Sequence, residues 1–247
     1  MFLDNILPSC LAALGSPKCF LKRLQYPQLV SFGLLANLSA MRHRNVITGI
    51  DSIWDVGANQ GQFAFMANTV WPTLPIYSFE PDPDSFIKLS ANFKKFNILG
   101  KPYLSALSDK TEVKKLMRYG ANVNNSFLVR NEENLSTVDV ACTTLDLMVD
   151  SMPGMRAAYL KLDVQGFELV VLAGAQEFLK KCKYVQVEVS FSPAYAGGAT
   201  SYEVISAMSG YDFECIEILD LLRNKTGVNE IIELDLLFRR NSDKSPK

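Results

Sequence analysis

The chemistry most visible in this chain lies in two acids at the ends of apolar runs, with a glycine-framed bend after the first. Ile53-Trp54-Asp55-Val56-Gly57-Ala58-Asn59-Gln60-Gly61 passes from an apolar strand into a turn, and 62–70 then reads as a helix. Glycine at 57 lets the backbone turn sharply and approach a ligand, while Gly61 permits close contact between the ligand and the opening helix. Free N–H groups at a helix start suit the carboxylate of an amino-acid-like ligand. Asp55 at the strand end is then placed to attract that ligand's ammonium group. The next apolar run, Ile76-Tyr77-Ser78-Phe79, ends in Glu80, whose ionised carboxylate suits the two hydroxyls of a ribose. Singly, Asp55 is explained by turn capping and Glu80, followed by Pro81, by the end of a strand. Together they outline a nucleoside crevice.

Counting from Gly57, the third and sixth places of a dinucleotide-binding turn hold Asn59 and Gln62 rather than glycine, which argues against nicotinamide or flavin dinucleotides. No glycine-rich loop ends in Lys followed by Ser or Thr, so a P-loop hydrolase is also disfavoured. A third acid, Asp163, follows the buried-looking run Ala158 to Leu162 and reaches the carboxyl edge where ligands sit in open sheets. There it can orient an acceptor hydroxyl and receive its proton, although an ordinary Asp pKa of about 3.9 makes it a weak base. The alternative is a carboxylate that caps the helix after Gly166. Lys161 can pair with Asp163, Glu188 or solvent, and Glu168 reads mainly as a first-turn acid on a helix. Glu188, Asn124, Asn125, Ser126 and Tyr195 are weaker candidates for selecting the acceptor. The single histidine, His43, sits in the basic stretch Arg42-His43-Arg44 and reads as a surface or capping residue. With no clustered His or Cys, no dedicated metal site is expected.

The elements that must position these residues begin with bulk properties. A chain of 247 residues with 48% hydrophobic content suits one large α/β domain. Its 25 Lys+Arg and 26 Asp+Glu nearly cancel, so no field favours nucleic acid. The cysteines Cys10, Cys19, Cys142, Cys182 and Cys215 are odd in number and widely spread, and read as reduced thiols in a cytoplasmic protein. The apolar start, 1–14, lacks a basic leader and contains Asp4 and Pro8, so it reads as a packing helix rather than a signal. Nothing approaches a membrane span of about 20 apolar residues, while Phe2, Leu3, Ile6 and Leu7 leave peripheral membrane contact open.

Residues 1–50 form an expected helical N-terminal extension that packs on the main domain or covers its cleft, 51–240 the main domain, and 241–247 a polar tail. From Ile53 strand-like runs alternate with helical patterns, the texture of a mostly parallel sheet covered on both faces. The runs predict strands near 52–56, 75–80, 101–105, 158–163, 183–190, 211–218 and 231–238, with helices near 61–70, 83–96, 144–151, 166–181 and 201–209. Two further strands near 112–119 and 137–143, separated by a polar stretch, predict an inserted hairpin with a long loop.

With these motifs in order, the sequence resembles the FkbM family of S-adenosylmethionine-dependent methyltransferases over residues 50–240. The likeness rests on Asp55-Val56-Gly57-Ala58-Asn59-Gln60-Gly61, Phe79-Glu80-Pro81, Ala106-Leu107-Ser108-Asp109, Thr144-Leu145-Asp146, Lys161-Leu162-Asp163-Val164-Gln165-Gly166-Phe167-Glu168 and Val187-Glu188-Val189. The resemblance implies a Rossmann-like class I methyltransferase fold, strand order 3-2-1-4-5-7-6 with the seventh strand antiparallel, and S-adenosyl-L-methionine as cofactor. By position it implies Asp55, Gly57, Asn59 and Gly61 around the methionine portion, Glu80 at the ribose, and Pro81, Ser105 and Ala106 at the adenine. It further implies O-methylation of a hydroxyl on a small molecule or sugar, with Asp163 as the catalytic or orienting residue. The alternative is a catalytically inactive cofactor-binding module acting through protein contacts. Gln165 departs from the pattern, which usually carries an acid there.

Overall fold

A computed structural model of the chain describes residues 22, 24–119, 125–129, 136–150, 154–191, 195–224 and 230–243. The expected helix at 1–14, Cys10, Cys19, Asn124 and the end of the polar tail lie outside the described residues. In chain order the elements are α1 (Phe32–His43), β1 (Ser52–Val56), α2 (Gln62–Val70), β2 (Ile76–Glu80), α3 (Pro83–Lys95), β3 (Gly100–Leu104), β4 (Ala106–Leu107), β5 (Glu112–Arg118), β6 (Ser136–Thr143), α4 (Leu145–Asp150), β7 (Ala158–Leu162), α5 (Glu168–Ala173), α6 (Gln176–Lys180), β8 (Cys182–Ser190), α7 (Ser201–Gly210), β9 (Phe213–Arg223) and β10 (Ile231–Arg240).

Seven strands form one sheet in the order β3-β2-β1-β7-β8-β10-β9. Counted within that sheet by sequence, the order is 3-2-1-4-5-7-6, as the resemblance implies. Strands β1, β2, β3, β7 and β8 run parallel, and β10 is antiparallel to both β8 and β9. Alternate side chains divide the core between two faces. Trp54, Val56, Leu160, Leu162, Val185 and Val187 pack with α4, α5, α6 and α7. Ile53, Ile76, Tyr159, Tyr184 and Leu237 pack with α1, α2 and α3. Burial on both faces is why the central strands are continuous apolar runs.

The helix expected over 166–181 is two helices, α5 and α6, broken at Gly174 and Ala175. A Cβ on Gly174 would stand 2.1 Å from the Ser108 carbonyl oxygen, so the chain turns where its backbone presses against the β4 exit. The expected hairpin pairs antiparallel from Glu112 with Cys142 to Arg118 with Ser136. Strand β4 joins it in parallel, making a separate three-stranded sheet. Helix α1 packs against α2 and β9, burying Leu34, Leu35, Leu38 and Met41. Asn37 Nδ2 donates to the Leu219 carbonyl at 2.5 Å, and Ser31, capping α1, donates through Oγ to Asp220 Oδ2 at 2.9 Å. No helix among the described residues is long and apolar enough to cross a membrane.

Candidate active site

A row of polar side chains crosses the otherwise apolar sheet. Asp55 stands opposite Ser78 of β2 and Lys161 of β7, and Lys161 stands opposite Gln186 of β8. Ser78 Oγ donates to Asp55 Oδ2 at 3.2 Å, Lys161 Nζ lies 3.6 Å from Asp55 Oδ1, and Gln186 Nε2 donates to Asp235 Oδ1 of β10 at 2.8 Å. The resemblance places Asp55 at the methionine portion of the methyl donor; in the free protein its partners are Ser78 and Lys161. Asp55 lies two residues before Gly57, and its carboxylate is fully buried, near Lys161 and not among the cavity-lining groups. Burial raises the Asp55 pKa, and the Lys161 ammonium opposes that rise. Burial also disfavours the Lys161 cation, but Asp163 and Asp55 outweigh it and hold the ammonium above its usual range.

The bend follows directly. Gly57 has φ 78°, and a Cβ there would lie 1.8 Å from the Asp163 carbonyl oxygen, so only glycine lets β1 and β7 exit side by side. The Gly57 and Ala58 N–H groups both donate to the Phe79 carbonyl. Glu80 accepts from the Asn59 N–H at Oε2 (2.7 Å) and the Asp82 N–H at Oε1 (2.8 Å), leaving each oxygen a further lone pair. Burial pushes its pKa up to about 7 against those two bonds. Asn59, at φ 48°, carries a buried Oδ1 with no hydrogen-bond partner in the cavity wall. Pro81, Ser105 and Ala106 line the same cavity, and Ser105 Oγ donates to the Ala106 and Ala141 carbonyls. Gly61 does not line it. Its φ of 90° opens α2, and a Cβ there would come within 2.9 Å of Leu89 Cδ1.

On the other side of the bend, Asp163 Oδ2 accepts from Lys161 Nζ at 3.0 Å and Oδ1 from Gln165 Nε2 at 3.1 Å. Burial alone would raise the Asp163 pKa, but Lys161, the Gln165 amide and Glu188 bring it below the usual range. Glu188 moves the opposite way: burial, then Asp163, Glu233 and Asp235, push it well above the usual carboxylate value. Asn125, Ser126 and Tyr195 line the cavity. Ser126 Oγ, however, donates to the Gln165 carbonyl at 2.9 Å, and Tyr195 Oη donates to Gln165 Oε1 at 3.0 Å. Glu168 Oε1 accepts from the Val164 and Gly166 N–H groups, which closes the loop before α5.

These groups surround a cavity of about 740 Å³, within the range of small-molecule sites. Gln28, Leu29, Val30, Ser31 and Leu34 form one wall, so the segment leading into α1 helps enclose it. The sequence reading missed Gln186, Asp220, Glu233 and Asp235. Glu233 and Asp235, two residues apart in an apolar strand, were the available signal. Among the described residues, no three His, Cys, Asp or Glu side chains are grouped so as to hold a metal ion.

A sheet of this order with a glycine bend after β1 and an acid ending β2 defines a Rossmann-like class I methyltransferase. Residues 55–224 match the family model of the methyltransferase FkbM domain, and the chain belongs to that family, whose methyl donor is S-adenosylmethionine. It is 25% identical over 221 residues to 31-O-demethyl-FK506 methyltransferase FkbM of Streptomyces tacrolimicus, covering 77% of this chain and 83% of that protein. Over 139 residues it is 28% identical to hexuronic acid methyltransferase AglP of Haloferax volcanii, covering 56% of each chain. Among solved structures, its fold is similar to TehB from Haemophilus influenzae (TM-score 0.52, 11% identity, covering 91% of this chain and 67% of that one). It is also similar to magnesium protoporphyrin IX methyltransferase from Synechocystis PCC 6803 (TM-score 0.50, 6% identity, 84% and 78%).

Proposed function

We propose that this methyltransferase transfers its methyl group to a hydroxyl of a neutral, sugar-like small molecule. The observation that carries the acceptor side of this reading is that the described cavity wall offers carboxyls but no unpaired cation. Glu80, Asp163, Glu188, Asp220, Glu233 and Asp235 line it, and Lys161 is the only cation among the described lining residues. That ammonium is committed to Asp163 and Asp55. A negatively charged acceptor would therefore meet carboxyls without a free cation, whereas hydroxyls find many acceptors. The hydroxyl-bearing chemistry in the name of the FK506 methyltransferase supports this reading.

The residues present fit the methyl donor: Asn59 Oδ1 is a buried acceptor without a partner, and Glu80 keeps lone pairs for a diol. Gly57, Ala58 and Asn59 would hold the methionine portion, Glu80 the ribose, and Pro81, Ser105 and Ala106 the adenine. Asp55 would act one layer deeper, by fixing Lys161. When bound, the donor supplies an electrophilic methyl group on a sulfonium. Asp163 orients the acceptor hydroxyl. Asp163 would take up the proton of that hydroxyl as the oxygen is methylated, so that the acceptor leaves as a neutral ether. Because Lys161 keeps Asp163 a weak base, most of the rate must come from positioning, which supplies on the order of 7–11 kcal/mol in well-matched geometry. The three described cysteines, Cys142, Cys182 and Cys215, are free thiols, which supports a cytoplasmic setting.

The test is a donor carrying a carbon-13 methyl group, incubated with the full chain and a panel of neutral, cationic and anionic sugars. An O-methyl resonance on a neutral sugar is expected. Donor binding without transfer to any hydroxyl would instead favour an inactive binding module, and transfer only to a carboxylate would overturn the charge argument.

A further inference from the structure

Gln165 is the meeting point of three loops on the acceptor side of the cavity, and its position is unusually constrained. It adopts φ 54°, a left-handed conformation that costs energy for a residue with a Cβ, so surrounding contacts must hold it there. Those contacts are on every side. Its carbonyl accepts from Ser126 Oγ of the segment between β5 and β6, and the following Gly166 carbonyl accepts from the Ala199 N–H. A Cβ on Gly166 would lie 3.1 Å from both Gly198 Cα and Leu128 Cδ1, which shows how closely the loops pack there. The side chain is fully engaged as well. Nε2 donates to Asp163 Oδ1 at 3.1 Å and to Glu188 Oε2 at 3.0 Å, while Oε1 accepts from Tyr195 Oη at 3.0 Å.

We propose that Gln165 is the positioning residue of the acceptor site: its carboxamide ties the Asp163 and Glu188 carboxyls into one proton-sharing pair facing the substrate space. Both carboxyls lie on the cavity wall, so two negative charges at this spacing would repel in a poorly solvated place. One amide group with a single nitrogen reaching both acids removes part of that cost without adding a charge. The other groups facing the pair set which acid keeps the proton. Lys161 from β7, itself shared with Asp55 of β1, sits on the Asp163 side. Glu233 and Asp235 from β10 sit on the Glu188 side, Glu168 of α5 adds charge near Asp163, and Tyr195 approaches through Gln165 itself. Asp163 is thereby the more acidic member, and Glu188 keeps its proton to higher pH. While Glu188 holds that proton, a hydroxyl entering between them meets an acceptor at Asp163 and a donor at Glu188. This inference rests on the methyl-transfer reading only for its consequence; the pairing itself is a property of the free protein.

The experiment is a carbon-13 NMR titration of the full chain labelled at its Asp and Glu carboxyls, without and with S-adenosylhomocysteine, with the two signals assigned through Asp163→Asn and Glu188→Gln. In the unsubstituted chain, two well-separated titrations are expected, the lower from Asp163. Gln165→Met keeps the length of the side chain and removes both donated bonds; it should raise the Asp163 midpoint by about one pH unit. Gln165→Glu, which adds a third carboxyl, should raise it further. That ordering is electrostatic and does not follow from a role in loop packing alone. An Asp163 midpoint unmoved in both variants, with the fold intact by amide spectra, would overturn the proposal. Calorimetry with S-adenosylhomocysteine on the same samples separates the two ideas: absent binding refutes the cofactor reading, while the titration order still decides the role of Gln165.

Discussion

At the scale of the residue, Glu80 and Asp55, both expected to touch the methyl donor, differ in burial and in partners. Glu80 faces the cavity with free lone pairs and a pKa of about 7. A ribose donates best to the ionised form, so affinity for S-adenosylhomocysteine should rise as pH climbs through about 7 and plateau above it. Glu80→Gln should weaken binding roughly ten- to a hundredfold near pH 8 and flatten that dependence, as calorimetry across pH would show. Asp55, by contrast, is buried with Lys161. Asp55→Ala leaves a buried cation with one fewer partner and should cost about 3–5 kcal/mol in denaturant unfolding. For Asp163→Asn, turnover should fall far more than affinity for the donor, read as kcat against binding calorimetry. All three acids were visible in the sequence as lone charges in apolar runs. Which neighbour each one meets was not, because a partner such as Ser78 or Lys161 is fixed by strand register, and register follows from the assembled sheet.

At the scale of the element, the two glycines that matter most do so through backbone contact. Gly57→Ala would drive a Cβ into the Asp163 carbonyl in a left-handed conformation, so the variant should lose S-adenosylhomocysteine binding or fail to fold, as calorimetry and circular dichroism would report. Gly174→Ala meets the Ser108 carbonyl instead, far along the chain from the bend. It should lower stability by about 1–3 kcal/mol in chemical unfolding while donor affinity stays within a factor of two or so. Gly57 could be recognised beforehand, since it sits between a strand and a helix start. Gly174 lay inside an apolar helical pattern, and periodicity alone cannot show that another strand's exit presses on it. The same limit explains Glu233 and Asp235: their spacing marked one face of β10, but only the antiparallel pairing of Glu188 with Asp235 brings that face to the cavity.

At the scale of the whole molecule, the chain encloses its cavity with parts drawn from beyond the family match. The matched segment ends at residue 224, yet Glu233 and Asp235 lie on β10, and 28–31 precede α1. The doubly covered sheet was readable from alternating strand and helix patterns, and an N-terminal extension over the cleft was one of two placements expected; that 28–31 form the wall was not readable, because short runs broken by Pro27 carry no period that points to particular contacts. Burying several acids in one place has a further consequence. Burial raises Glu80 and Glu168 to about 7 and Asp235 to about 6. The unfolded chain releases those protons at lower pH than the folded one, so the free protein should lose stability as pH rises from ordinary carboxylate values toward about 7. Denaturant midpoints measured across that window should fall with pH, and a flat profile would mean these carboxyls are better solvated than the fold implies. The most direct test of the central claim is a calorimetric titration of the full chain with S-adenosylhomocysteine. A saturable heat corresponding to one molecule per chain is the predicted result; no heat of binding to folded protein at about millimolar ligand, an affinity ceiling near −4 kcal/mol, would contradict it.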